Sequence, residues 1–133
     1  MLEWLAKLFT GNEGSRSDRE LAERGENLAA RHLRDLGYKI LLRNFRSELG
    51  EIDIIARDGK TLVFVEVKTR EDDTVSPESQ VDAEKQRHVI RVAKLYLTRY
   101  GVPQPPSRFD IVAIIWPPGR KPRINHIPSA FSS

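Results

Sequence analysis

The stretch TLVFVEVKTR (Thr61–Arg70) decides the fold, because this apolar, β-branched run is typical of an interior strand and yet contains Glu66 and Lys68. Side chains alternate between the two faces of a strand, so Glu66 and Lys68 share a face with Leu62 and Phe64. Moving a charge out of water costs on the order of several kcal/mol unless it is paired or bound to a metal. The strand is therefore expected to carry a charged pair that has a specific partner.

The elements around this strand follow from turn and cap signals. A helix is predicted to open at a capping box of Ser17 and Glu20 and to run to about Leu36, before Gly37. The remaining elements are predicted to be strands at 38–45, 51–57, 61–70 and 108–116, a helix at 79–100 and a short edge strand in 123–131. The second helix can return the chain for parallel pairing of the strands on either side of it. The prediction is an α/β fold with a mixed sheet of about four to five strands and helices on both faces.

Length and composition limit the classes of protein to which this chain can belong. The 133-residue chain has the length of one domain, and its lack of cysteine excludes disulfides and thiolate metal sites, so we expect a cytoplasmic location. The opening MLEWLAKLF is too short for a membrane span and lacks a cleavage site, so we expect a short helix and linker over 1–16 and one domain over 17–133. A net charge of +3 permits a polyanionic partner without requiring one.

Acidic residues of the preceding strand are expected beside Glu66. If residues 58–59 form the hairpin turn, Asp53 lies opposite Phe64 and diagonal to Glu66, while Glu51 lies opposite Glu66. A change of one residue in the turn would shift this register. Glu51 itself is expected at the strand entrance, within reach of solvent, and its predicted place opposite Glu66 leaves it as an alternative supporting acid behind the metal ligands.

A third carboxylate is expected from the first helix. Glu26 falls on its core-facing stripe next to Gly25, where the missing side chain would let another backbone approach closely. Glu26, Asp53 and Glu66 would then converge with Lys68 on an apolar interior and raise one another's pKa values. A divalent cation removes this conflict, and hard oxygen ligands favour Mg²⁺ or Mn²⁺ over zinc.

The arrangement of Glu26, Asp53 and Glu66-Val67-Lys68 resembles the PD-(D/E)xK nuclease superfamily, most closely its Holliday-junction-resolvase-like branch, which has an extra glutamate in the first helix. More narrowly, the segments GEIDIIARD, FVEVKTR and RFDIVAI resemble the YraN-type family of small bacterial endonuclease-like proteins. The resemblance covers about 19–115. Ile52 stands where the superfamily often has proline before the aspartate.

This resemblance implies a restriction-endonuclease-like three-layer core that hydrolyses phosphodiester bonds in DNA, with branched or structured DNA as a candidate substrate. It implies that Asp53, Glu66 and the Val67 carbonyl hold the metal. It also implies that Lys68 positions or deprotonates the attacking water and that Glu26 completes or orients the metal shell.

The second helix carries candidates for contact with nucleic acid. Lys85 and Gln86 lie on its predicted inward side, and in resolvase-like relatives a polar or basic residue of this helix assists the active site. Arg87, Arg91 and Lys94 form a basic stripe on the outer side, which is either a solvated face or a contact for phosphates. The same two readings apply to other basic residues, namely Arg24, Arg31, Arg34, Arg120, Lys121 and Arg123.

Other conspicuous residues have simpler interpretations. Asp110 is expected to pair with Arg108 or another base near the start of its strand rather than to bind a metal. The histidines show no metal-ligand spacing and are expected to be surface or packing residues. They are His32, His88 and His126.

Two further classes of function stay open. One is a nucleic-acid-binding module that keeps the fold and a vestigial pocket but does not cleave. The other is a structural partner protein whose N-terminal helix docks elsewhere and which binds no metal. Taken alone, Glu66 and Lys68 could also form an edge-of-sheet salt bridge worth at most about 1 kcal/mol. Under the nuclease hypothesis the partner is DNA, no membrane is involved, and cutting two strands of a junction would suit a two-fold homodimer.

Overall fold

The computed structural model describes residues 16–74 and 76–133, so the helix predicted in MLEWLAKLF lies outside the described residues. The described elements are, in chain order, α1 (Arg16–Asp35), β1 (Lys39–Ser47), β2 (Gly50–Asp58), β3 (Thr61–Arg70), a 3-10 helix (Pro77–Gln80), α2 (Ala83–Leu97), β4 (Ser107–Ile115) and β5 (Arg123–Phe131). The strand predicted from TLVFVEVKTR has the bounds of β3.

The five strands form one mixed sheet in the order β1-β2-β3-β4-β5. Neighbouring strands pair antiparallel except β3 and β4, which run parallel because α2 carries the chain back between them. The predicted α/β class and the predicted parallel pair are therefore confirmed.

Apolar residues cover both faces of this sheet. On one face, Ala29 and Leu33 of α1 pack over strand residues that include Val65. On the other face, Val89 of α2 packs over residues that include Phe64. The molecule therefore has three layers, helix, sheet and helix, and alternate residues of β3 belong to opposite layers.

The hairpin between β2 and β3 differs from the prediction by one residue. Asp58 pairs with Thr61, so the two-residue turn consists of Gly59 and Lys60, and Gly59 has a positive φ of 61°. The predicted positions of Asp53 opposite Phe64 and Glu51 opposite Glu66 are therefore wrong. The sequence correctly predicts a turn of two residues. Gly59 rather than Asp58 takes the first turn position, because the backbone there has a positive φ that glycine adopts most easily.

Three element boundaries also differ from the predictions. Ser17 lies inside α1 rather than before it, so it does not form the predicted cap. The second helix begins only at Ala83, where the Asp82 side chain accepts a hydrogen bond from the Lys85 N–H, and a 3-10 helix precedes it. The predicted short edge strand β5 is nine residues long because it pairs along β4.

Candidate functional site

A polar cleft of about 630 Å³ opens at the carboxyl end of β3, beside the N-terminal half of α1. Its lining combines acidic and basic side chains, among them Glu26, Asp53, Lys68, Arg70 and Lys85. The cleft thus brings together side chains from four elements, and Glu26, Asp53, Lys68 and Lys85 among them are predicted site residues.

A bend in β1 and β2 directs Asp53 into this cleft. Asn44 lies opposite Asp53 and has a positive φ of 54°. Residues two apart on a strand normally share a face, yet Ile52 packs in the α2 layer and Ile54 in the α1 layer. The side chains of β2 therefore change faces at Asp53. This change places the Asp53 carboxylate at the boundary between the α1 layer and the α2 layer.

Asp53 and Glu66 lie close enough to influence each other's charge. The Val67 N–H donates a 2.8 Å hydrogen bond to Asp53 Oδ2. Burial raises the pKa of Asp53, although the charge of Lys85 and the Val67 N–H oppose this. Burial and the charge of Asp53 raise the pKa of Glu66 to about 8.

Glu66 has one paired and one unpaired oxygen. Its side chain is 2% exposed, and Oε2 lies 3.3 Å from the Lys85 Nζ. Oε1 is buried and has no hydrogen-bond partner among the described residues. A buried carboxylate oxygen without a partner is costly, so a cation bound beside Glu66, Asp53 and Lys85 would relieve this cost.

The two lysines of the cleft respond oppositely to their surroundings. Burial and the neighbouring charge of Lys85 lower the pKa of Lys68 to about 8. Burial also disfavours the charged form of Lys85, but Glu66 and Asp53 more than offset it and raise the pKa of Lys85. Lys85 is therefore the fixed cation of the cleft, whereas Lys68 can exchange a proton near neutral pH.

The Glu26 side chain extends from α1 into the cleft, and two residues of β1 hold it there by hydrogen bonds. Its Oε1 accepts hydrogen bonds from Arg43 (3.1 Å) and Asn44 (2.9 Å). Burial and Asp53 raise the pKa of Glu26, while Arg43 opposes this effect. Arg43 and Asn44 could not be predicted from the sequence, because no local pattern indicates that β2 changes faces beside them.

The close approach predicted at Gly25 is present. An added Cβ would lie 1.8 Å from Thr69 Oγ1, so α1 can contact β3 here only because residue 25 has no side chain. This contact brings Glu26 over the end of β3.

The donor set of the cleft suits a hard divalent cation. Asp53 and Glu66 offer carboxylate oxygens, one of them the unpartnered Oε1, and their mutual repulsion would be relieved by a positive ion. In the described part of the chain, no three His, Cys, Asp or Glu side chains are grouped to hold one ion. Mg²⁺ commonly uses only one or two protein carboxylates and fills its remaining positions with water and phosphate oxygens, so two carboxylates fit this ion.

The other predicted residues are not part of the cleft lining. Gln86 donates to the Val81 carbonyl at 3.0 Å. Arg87 and Arg91 are exposed on the outer side of α2. Glu51 was expected within reach of solvent, but it is only 9% exposed because the turned-over strand carries it inward; burial and Asp53 raise its pKa, and Arg46 lies 3.5 Å away.

A second polar cluster lies on β4 and β5, around the fully buried Asp110. Its carboxylate accepts from Arg108 Nε at 3.0 Å, which confirms the predicted pairing. His126 Nε2 (2.8 Å) and the Ser129 N–H (3.0 Å) also bind it. Burial alone would raise the pKa of Asp110, but these hydrogen bonds hold it below its ordinary value.

Among the described residues, no helix is both long and apolar enough to cross a membrane.

Comparison with known proteins places these residues in a defined group. A family model described as "Uncharacterised protein family UPF0102" matches residues 25–114. The chain is 49% identical to a UPF0102 protein of Geobacter sulfurreducens over 120 residues, which cover 90% of this chain and 94% of the relative. It is 45% identical to a UPF0102 protein of Geotalea daltonii over 120 residues (90% and 94%). It is 47% identical to one of Symbiobacterium thermophilum over 114 residues (85% and 97%).

Proposed function

The chain belongs to the uncharacterised family UPF0102, the YraN-type family that its segments resemble, and on this premise we propose that it is a metal-dependent endonuclease that hydrolyses phosphodiester bonds in DNA. The observation that carries the proposal is the buried, unpartnered Glu66 Oε1, because Glu66 interacts with Asp53 and Lys85, which line the cleft together with Lys68. A chain under selection for stability alone gains nothing from that arrangement, whereas perturbed carboxylates and a perturbed lysine in a cleft are typical of catalytic sites.

The proposed metal is Mg²⁺ or Mn²⁺. Asp53, Glu66 and the Val67 carbonyl would hold it, and Glu26, fixed by Arg43, would complete or orient the ligand shell. When bound, such an ion neutralises charge on the scissile phosphate and makes water a better nucleophile.

Lys68 is the proposed general base. Because burial and Lys85 lower its pKa to about 8, a useful fraction of its amine is neutral near pH 8 and can accept a proton from the attacking water. The water oxygen then forms a bond to phosphorus as the bond to the leaving oxygen breaks. Lys85 keeps its charge and holds Glu66 in place.

Basic residues in the cleft and on the exposed side of α2 support DNA as the substrate. Arg19 and Arg70 line the cleft, and Arg87 and Arg91 are exposed on α2. We propose that these guanidinium groups bind phosphates on either side of the scissile bond. Branched or structured DNA is the proposed substrate class, and a two-fold homodimer would suit paired cuts.

The test is cleavage of a labelled DNA panel of linear, flap, mismatched and four-way substrates with Mg²⁺ or Mn²⁺, beside metal titration by calorimetry. The variants are Asp53→Asn, Glu66→Gln and Lys68→Met. Asp58→Asn is the matched control, because Asp58 lies on the same strand as Asp53 but pairs with Arg108 away from the cleft.

We expect Asp53→Asn and Glu66→Gln to abolish metal binding and cleavage, and Lys68→Met to abolish cleavage while metal binding persists. Cleavage that survives Asp53→Asn would contradict the proposal. Replacing both Arg87 and Arg91 by glutamine is expected to weaken DNA binding and to reduce its salt dependence.

One contact favours a second candidate function, a nucleic-acid-binding module that does not cleave. Glu66 already has a cationic partner in Lys85, so the pocket can exist without a metal. This candidate predicts that wild type and Asp53→Asn bind DNA equally and that neither cleaves any substrate of the panel.

A further inference from the structure

The Asp110 cluster ends in a pair of histidines at the surface. His126 Nδ1 lies 3.3 Å from His32 Nε2, so β5 and α1 meet through two imidazole rings. The His126 side chain is 9% exposed and His32 is partly exposed, which lets solvent reach both rings. Neither residue belongs to the cleft described above.

Asp110 fixes the orientation and tautomer of His126. A carboxylate can only accept, so the His126 Nε2 that contacts Asp110 carries the proton, and in the neutral ring Nδ1 presents a lone pair toward His32. Asp110 is itself held by Arg108 and the Ser129 N–H. A carboxylate on the far nitrogen of a histidine is the usual support of a metal-binding imidazole.

The spacing of the two rings fits coordination of one ion. Two imidazole nitrogens on a tetrahedral zinc ion, each at about 2.05 Å, are about 3.3 Å apart, and their ring centres are about 5.2 Å apart. Here the nitrogens are 3.3 Å apart and the ring centres 5.3 Å apart, with the rings nearly perpendicular. Two rings joined by a straight N–H···N hydrogen bond of the same length would have their centres about 5.6 Å apart.

We propose that His32 and His126 form a second metal site that takes a borderline transition-metal ion of the Zn²⁺, Ni²⁺ or Cu²⁺ class. Imidazole ligands favour these ions over Mg²⁺, so the site differs in chemistry from the all-oxygen cleft. The ion takes the place of the proton between the two rings, and water completes the ligand set. The proposal does not depend on the function of the cleft.

Asp35 is an acidic residue of α1 whose charge acts on His32. It follows His32 by three residues, which places the two side chains on one side of α1. Burial and His126 lower the pKa of His32, whereas the charge of Asp35 opposes this effect. In the described residues no third protein ligand is grouped with the two rings, so water is expected to complete the ligand set.

A metal ion bound by His32 and His126 would link the edge strand β5 to α1. β5 has one strand neighbour, and His126 pairs with Val112 across it. A ligand that binds only the folded state raises the free energy of unfolding, so the ion is expected to raise the melting temperature.

The test uses the full chain without a histidine tag. Zn²⁺ binding is measured by competition with a chromophoric chelator, Co²⁺ absorption reports tetrahedral geometry, and melting is followed with and without Zn²⁺. The variants are His32→Gln and His126→Gln. His88→Gln is the control for a histidine on the opposite helical layer, and Asp53→Asn separates this site from the cleft.

We expect one Zn²⁺ per chain in wild type, His88→Gln and Asp53→Asn. Both His32→Gln and His126→Gln should bind Zn²⁺ at least about tenfold more weakly, since loss of even an outer partner costs about 10–100-fold. Zn²⁺ binding that is absent in wild type, unchanged in His32→Gln or lost in Asp53→Asn would overturn the proposal. His32→Gln decides the matter if His126→Gln does not fold.

Discussion

Buried carboxylates occur at two places on the same sheet, and their surroundings treat the negative charge in opposite ways. Asp110 on β4 receives hydrogen bonds from Arg108, His126 and the Ser129 N–H, and its pKa lies below the ordinary value. Asp53 and Glu66 beside the cleft have raised pKa values, and Glu66 Oε1 has no partner among the described residues.

The difference separates a structural carboxylate from a functional one. A satisfied charge such as Asp110 contributes to the folded state, and removing it takes a charged acceptor from Arg108, His126 and the Ser129 N–H. The unsatisfied charges of the cleft disfavour the folded state and are expected to be satisfied by what binds there. The following predictions test this contrast.

The largest effect is expected from matched Asp→Asn changes at the two places. Asp110→Asn should lower the free energy of unfolding by about 3 kcal/mol, because Arg108 loses its buried counter-charge. Asp53→Asn should be neutral or stabilising in the presence of EDTA, because an amide is cheaper to bury than a carboxylate and can still accept from the Val67 N–H. Urea denaturation of both variants measures the difference, and equal losses would contradict the contrast.

A smaller loss is expected from Lys85→Met, about 2 kcal/mol at neutral pH. Glu66 then loses its cationic partner, but the cost is limited because a pKa of about 8 already favours its protonated form at neutral pH. Adding Glu66→Gln should restore most of the loss in a double-mutant cycle. Lys94→Met, at an exposed position of the same helix, is the matched control and should change little.

The pH dependence of stability should have opposite signs at the two places. Between about pH 4.5 and 8 the folded chain keeps a proton on Glu66 that the unfolded chain has released, so Glu66 lowers stability as pH rises, by at most about 1.4 kcal/mol per pH unit. Asp110 stabilises the fold above pH 3.8, and this contribution is lost as pH falls through its lowered pKa.

Comparing denaturation of wild type and Glu66→Gln at a series of pH values isolates the first effect from the histidines that titrate in the same range. The slope between pH 4.5 and 8 should become more positive in the variant. An unchanged slope would show that Glu66 ionises in the folded chain as freely as in the unfolded one.

The smallest expected change in stability comes from Gly25→Ala, at the contact that brings α1 over the cleft. Overpacking against Thr69 costs about 1–3 kcal/mol, and the better helix propensity of alanine returns about 1 kcal/mol. A net loss of about 1 kcal/mol with a clear loss of cleavage is expected, because Glu26 is displaced. Gly101→Ala, which has open space around its position, is the control and should be neutral.

The sequence predicted those features of the site that local pattern encodes. The alternation in TLVFVEVKTR placed Glu66 on the face of Phe64, and the Asp110–Arg108 pairing followed from two residues on one strand. The missing side chain at Gly25 predicted a close approach of α1. Each of these depends on strand or helix periodicity, or on the absence of a Cβ.

Other features of the site depend on contacts between elements distant in the chain. The one-residue shift of the hairpin and the reversal of β2 at Asp53 changed the partners of Asp53 and Glu51. The histidine pair at residues 32 and 126 is separated by 94 positions, so no spacing rule could have joined its members.

The sequence by itself determined the α/β class, the order of the elements and the acidic and basic residues available for chemistry, because periodicity and side-chain type are local properties. Only the tertiary structure decided which of the buried carboxylates is satisfied. Asp110 finds Arg108, His126 and the Ser129 N–H, while Glu66 keeps an oxygen without a partner. That outcome depends on how strands and helices far apart in the chain meet, since burial and hydrogen bonding are properties of the packed molecule.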